Sequence, residues 1–248
     1  MASPLPSRDL VTLGDMTWLE VRDAMERGKT TIIIPTGGIE ANGPFLALAK
    51  HDLIVEDLAE QIARSLGNTL VAPVINNVPE GAADPPSGHM HYPGTISSSE
   101  RTFVHVLEDT IRSLAAHGFR HIALLGDSGG NQGGLAKAAE RMAPEFPDIR
   151  IQFVAAYYDN GEDWLAERGM VEESDGYHHT LRETLLLGRL APDAVRMRER
   201  ITAGLWKVNG VELPTGAAFE TLSSDLAAHL VSQTATAIRA EAPTEHLE

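Results

Sequence analysis

The chain has no cysteine. That absence removes disulfides, thiolate metal sites, iron–sulfur clusters and thiol nucleophiles together, so any catalysis here uses oxygen and imidazole groups. Basic charge is also scarce. Against 35 Asp and Glu stand only 20 Lys and Arg, a net charge of −15. The acids are spread without blocks, and such a surface repels phosphate backbones and anionic membranes, which argues against nucleic acid as a partner. No apolar run approaches the ~18 residues of a membrane span, and the opening residues lack a basic segment followed by an apolar one. The expectation is a protein that works in the cytoplasm, away from membranes. With 43% hydrophobic and 22% charged residues, the composition is that of a folded globular chain rather than a disordered or fibrous one.

What is present is an alternation of helix and strand signals from end to end, the order of an α/β fold with a mostly parallel sheet. Thr17 with Glu20 three residues on predicts a capping box. Thr30–Ile34 is a β-branched run bounded by Gly28 and Pro35, short and apolar enough for a strand buried on both faces. Leu53–Leu66 carries apolar residues at helical spacing, with Asp52 as N-cap and Gly67 as stop. Further strands are expected at Thr69–Ile75, His121–Leu125 and Ile149–Ala155. Further helices are expected from a Ser97/Glu100 cap to His117, over Ser174–Leu187 and over Ser223–Arg239. No linker divides the chain, so residues 1–248 read as one domain.

In open parallel sheets, ligands gather beyond the carboxyl ends of the strands. Three polar segments occupy such places: Gly37–Pro44, Gly88–Thr95 and Gly126–Asn131. The second belongs to a Pro- and Gly-rich stretch, 76–95, too long for a mere connection.

The runs IPTGGIEANGP…HD, HMHYPGTI, HGFRHIALLGDSGGN and HHTLRETLLL, in this order, resemble the creatininase family of amidohydrolases, from about Thr30 to Leu190. The resemblance implies a three-layer α/β/α sandwich, a homohexamer, and hydrolysis at a C–N bond of a cyclic amide or a related small molecule, so the leading expectation is a hydrolase of a small cyclic amide, lactam or lactone. It further implies a two-metal centre of zinc or manganese, in which Glu40 matches the first carboxylate ligand, Asp52 the bridging aspartate, and His178 and Glu183 the last motif. Asn42, Phe45 and Ser128 stand where the family places histidines. Imidazole binds zinc far better than an amide or hydroxyl does, so the centre is either altered, with Asp127 or His51 filling in, or lost.

In the metal reading, Glu40, Asp52 and Glu183 hold the ion, and His178, or His179 if the helix extends that far, carries protons. Ser128, Asn42 and Asn131 would orient the substrate, and His89 and His91 would contact it. In a metal-free reading, Asp127, His178 and Glu183 perform acid–base hydrolysis, isomerisation or elimination. A third reading takes Gly126–Gly130 as a G-x-S-x-G nucleophile elbow, with Ser128 served by an acid such as Asp175 and a late histidine such as His229. A fourth is a binding protein that kept the fold without turnover.

Overall fold

A computed structural model of the chain describes residues 8–173 and 181–240. Helix α1 (Trp18–Glu26) opens with the predicted capping box: Thr17 Oγ1 accepts from Glu20 N, and the Glu20 carboxylate accepts from Thr17 N. Strand β1 (Thr31–Thr36) is buried along its whole length, as its β-branched run requires. There follow α2 (Lys50–Leu66), β2 (Thr69–Val71), α3 (Glu100–Ala116), β3 (His121–Gly126), α4 (Gln132–Met142), β4 (Arg150–Phe153), α5 (Ala156–Ala166), α6 (Leu181–Leu190) and α7 (Met197–Ala203). A small antiparallel hairpin, β5 (Lys207–Val208) and β6 (Val211–Glu212), precedes the long helix α8 (Ala217–Ala240).

Strands β1 to β4 form one parallel sheet in the order β2-β1-β3-β4. Because successive strand residues point to opposite faces, the sheet feeds two cores. Ile33, Val71, Ala123 and Leu125 pack with α2, α5, α6 and α8. Their neighbours Ile32, Ile34, Leu70, Ile122 and Leu124 pack with α1, α3 and α4. The result is the expected three-layer α/β/α sandwich. No described helix is long and apolar enough to cross a membrane.

The strand order positions the site. From β1 the chain goes to β2 on one side and then crosses to β3 on the other, so the crevice beyond the ends of β1 and β3 is a topological switch point. Thr36 and Gly126 are partners in register there, and Asp127 N donates to Thr36 O at 3.0 Å.

Several boundaries differ from the sequence reading: α8 begins at Ala217 rather than Ser223 and β4 spans Arg150–Phe153 rather than Ile149–Ala155, and three further differences have a visible cause. Helix α2 starts at Lys50 with Ala49 as N-cap, because Asp52 spends its carboxylate elsewhere: Oδ1 accepts from Gly38 N and Oδ2 from Asn76 Nδ2, each at 2.8 Å. Ser99, not Ser97, caps α3 by accepting from Thr102 N. Strand β2 stops at Val71, two residues before Pro73, which has no N–H to give the ladder. The N-terminal part of the helix expected over Ser174–Leu187 lies outside the described residues.

Candidate active site

The turn after β1 is built for close approach. Asn131 Nδ2 donates to Thr36 O at 3.2 Å, Thr36 Oγ1 at 2.9 Å and Gly37 O at 2.8 Å, tying the end of β1 to the loop after β3. Gly38 follows, and a Cβ there would stand 2.3 Å from Glu80 Oε1. Only a glycine lets Glu80 come beside Glu40. Glu80 itself is set by Ser97, whose Oγ accepts from Glu80 N at 2.9 Å and donates to Gly81 O at 2.6 Å.

These loops enclose a cavity of about 370 Å³ at the switch point. Glu40, Asn42, Asp127, Ser128, His89 and Glu183, all expected from the sequence, line it, and so do His51, Glu80, Tyr158, Glu162 and Arg182. Asp52, His91 and Asn131 do not. The carboxylate of Asp52 is committed to Gly38 and Asn76, His91 is exposed, and the amide of Asn131 is committed to the backbone, so the expected ligand and substrate roles have no geometric support. The neighbour of Asp52, His51, faces the cavity in its place. His178, His179 and Asp175 lie outside the described residues.

The buried polar groups form one chain of contacts. Lys50, wholly buried, donates from Nζ to Glu40 Oε1 and to the Glu40 carbonyl, both at 3.1 Å. His51 Nε2 lies 2.8 Å from Glu40 Oε1, and Nδ1 lies 2.8 Å from Asp127 Oδ2. Carboxylates only accept, so both ring nitrogens carry hydrogen. Asp127 Oδ1 accepts from Tyr157 OH and from Arg182 Nη2, each at 2.7 Å, and Arg182 Nη1 reaches Glu183 Oε1 at 3.3 Å.

Electrostatics follow from these contacts. Burial alone would raise the pKa of Glu40, but hydrogen bonds from His51 and Glu80 and the charges of His51 and Lys50 hold it well below the usual carboxylate range. Burial likewise opposes ionisation of Asp127, and the Arg182 charge with the His51 hydrogen bond overrides it in the same direction. For His51, burial and the Lys50 charge favour the neutral ring, yet the two carboxylates raise its pKa. Glu80 moves the other way: burial, then the hydrogen bond and charge of Glu40, push it up to about 10. Tyr158 is pushed up to about 12 by burial and by Glu183, so its phenol stays a hydrogen-bond donor near neutrality.

Glu40, Glu80 and His89 fit a divalent cation. One ligand atom from each lies within 4.8 Å of the others. Glu40 Oε2 and Glu80 Oε1 are buried with no hydrogen bond beyond the proton the two carboxyls share, and His89 Nε2 lies 3.0 Å from Glu40 Oε2. His89 Nδ1 donates to the Ala41 carbonyl at 3.0 Å, which orients the ring with Nε2 toward Glu40, the nitrogen that a cation could take. Without a cation the two carboxyls share a proton; a cation would take that proton's place.

The elbow reading of Ser128 does not hold. Its backbone is relaxed and extended, φ −100° and ψ 146°, and its Oγ accepts from Gly130 N at 3.3 Å. His229 packs on the Trp164 ring, centroids 5.8 Å apart, away from the cavity lining. Sequence reasoning missed Lys50, Glu80, Tyr157 and Arg182. Lys50 and Arg182 had a signal: each is a cation inside an apolar run, LALAK and LRETLLL, where it must be buried and paired. Glu80 had only its place in the long loop.

Comparison with known proteins agrees with this architecture. Creatinine amidohydrolase of Pseudomonas putida is 26% identical over 193 residues, 75% of this chain and 74% of that protein. The 3-dehydro-scyllo-inosose hydrolase of Thermotoga maritima is 29% identical over 114 residues, 46% of this chain but only 34% of its own length. A crystal structure of creatinine amidohydrolase superposes with a TM-score of 0.74 at 22% identity, covering 95% of this chain and 99% of the other. A putative creatinine amidohydrolase from Bacteroides fragilis gives 0.67 at 19% identity, covering 94% and 98%. The model of the family described as creatinine amidohydrolase matches residues 14–245, and the chain therefore belongs to the creatininase family.

Proposed function

We propose that this protein hydrolyses a small cyclic amide, lactam or lactone in the cavity beyond β1 and β3. The observation that carries the reading is the convergence of Glu40, Glu80 and His89 on one buried point in a cavity that also holds a carboxylate oxygen, Glu183 Oε2, buried and without a hydrogen-bond partner. A divalent cation bound to the first three would supply Lewis-acid polarisation and a more acidic water. Glu183 then takes a proton from water attacking the ring carbonyl and returns it to the departing ring atom. The Asn42 amide, whose Oδ1 is buried without a partner, accepts a substrate N–H, and the Tyr158 phenol donates to substrate oxygen. Asp127 does not serve as base, because both its oxygens are engaged by His51, Tyr157 and Arg182; it positions Arg182 and His51. Zinc or manganese as the ion, a homohexamer and a cytoplasmic location are further parts of the proposal and rest on the family resemblance.

A second reading rests on Glu80. A carboxyl pushed up to about 10 keeps its proton at neutral pH and is a ready general acid beside an ionised partner, so the same residues would suit metal-free acid–base chemistry. One experiment separates the two readings and tests both. Purified protein is assayed against a panel of cyclic amides, lactams and lactones, with creatinine and 3-dehydro-scyllo-inosose included because the relatives' names supply them, before and after chelation. Turnover lost on chelation and restored by Zn²⁺ or Mn²⁺ supports the metal reading. Undiminished turnover supports the metal-free one, and no ring opening across the panel sinks both.

A further inference from the structure

Phe45 stands where the creatininase family places a histidine, yet it does not line the cavity. Its ring carries another residue instead. Arg200 of α7 is 4% exposed, and its guanidinium carbon lies 4.5 Å from the centroid of that ring. Arg200 Nε donates to the Val195 carbonyl at 3.2 Å. Among the described residues no carboxylate pairs with it, and burial alone acts on its pKa, lowering it. A buried arginine without a counter-charge is costly, and an apolar side chain of similar volume would fill the space at less cost. What its flat cation offers over an alkyl chain is stacking on an aromatic face.

The loop to which Phe45 belongs is the one that equips the cavity. It leaves β1 after Thr36, enters α2 at Lys50 and carries Glu40 and Asn42. Its Ala41 carbonyl also holds His89 Nδ1 at 3.0 Å. Glu40 N donates to Leu48 O at 3.1 Å, which ties the two limbs of the loop together. The far end of the loop meets the segment after α6 at two points. Ala47 N donates to the Ala194 carbonyl at 2.7 Å, and Phe45 stacks on Arg200. Between those anchors Arg196, at φ 49° and ψ 43°, turns the chain from the short helical turn Pro192–Val195 into α7. A non-glycine residue in the left-handed region is uncommon, and here it sets the course of α7 and so the reach of Arg200. Asn42 Oδ1 is buried without a partner, so the loop backbone decides where it points.

We infer that Arg200 is a positioning residue of the cavity: through the face of Phe45 it fixes the loop that places Glu40, Asn42 and, by way of the Ala41 carbonyl, His89. Arg200 does not line the cavity itself and acts only through the loop. The inference rests on the cavity being the site proposed above, but on no particular ring or ion. A position that the family gives to a histidine is here turned away from the cavity and becomes the hook by which α7 holds the loop.

The absence of cysteine allows a single nitroxide label at an introduced one. Pro44→Cys, exposed on the loop, reports the loop, and His105→Cys, exposed on α3, is the control on the other face of the sheet. Electron paramagnetic resonance reads label mobility in the intact chain, and calorimetric titration of unlabelled protein with Zn²⁺ and Mn²⁺ reads the cavity. Arg200→Met removes the plane and the charge, Phe45→Leu removes the ring, and Phe45→Tyr keeps it. The expected result is a label at 44 at least twofold more mobile in the first two variants, no more so when they are combined, and as in the parent chain in Phe45→Tyr, with the label at 105 unchanged throughout. Cation affinity falls at least tenfold in the same two variants and returns in Phe45→Tyr. Unchanged mobility at 44 in both, equal loosening at 44 and 105, a cumulative effect in the double variant, or unaltered cation affinity beside a loosened loop would each overturn the inference. Should Arg200→Met fail to fold, Phe45→Leu and Phe45→Tyr, at a half-buried position, carry the same comparison. A parent chain that binds neither ion retires the proposed cation site, and the label at 44 still decides whether Arg200 holds the loop.

Discussion

Glu80 and Asp127 are carboxylates whose surroundings drive them in opposite directions, and their effects on stability oppose each other accordingly. Glu80 keeps its proton in the folded chain up to about 10, against an ordinary value of 4.5. With no cation bound, the stabilisation it contributes is fully present below 4.5 and is lost as pH rises toward 10. Glu80→Gln, which mimics the protonated acid, is expected to flatten that decline in thermal melts between those limits. Asp127 is held below its ordinary 3.8, so its contribution is present above that value and is lost as pH falls. Asp127→Asn is expected to remove part of the acid-side loss but to cost about 3–5 kcal/mol near neutrality, because Arg182 stays buried with a weakened partner. Denaturant titration of the variant at pH 7 measures this. Glu40 was legible in the sequence because it stands in the loop after β1, which ends at Thr36, at the position that matches the first carboxylate of the family motif. Glu80 was not, since its importance comes from Ser97 and Gly38, both remote in sequence, which bring it to Glu40.

At the scale of elements, the loops matter more than the helices and strands they join. Gly130 shows why: a Cβ there would stand 2.2 Å from the carbonyl oxygen of Pro79, a backbone atom that cannot rotate away. Gly130→Ala is expected to push the loop after β3 off the loop bearing Glu80 and to weaken cation binding at least tenfold, read by calorimetric titration. By contrast, Thr17→Ala removes one cap of α1 and is expected to cost about 1 kcal/mol in thermal unfolding, with cation affinity unchanged. The helix and strand order could be read from hydrophobic period and caps because those signals are local. The starts of α2 and α3 could not, because Asp52 and Ser97 are good capping residues that tertiary partners claim for other duties.

Across the whole molecule, a single sheet serves two cores, so adjacent residues of β1 answer to different sets of helices. Ile32→Ala and Ile33→Ala are each expected to cost about 2–5 kcal/mol, measured by denaturant unfolding; a sheet with one wet face would leave one of the pair nearly silent. The apolar run at 30–34 already implied this two-sided burial, whereas the cluster at the switch point needed three dimensions, since its members come from both sides of the sheet. The placement of Glu80 and His89 on one long loop has a consequence for how the molecule yields. A cation joining both to Glu40 would staple that loop to the end of β1. Saturation with metal would then shield the segment from proteases and slow its amide exchange, while a chelator would open this stretch to cleavage with both cores intact.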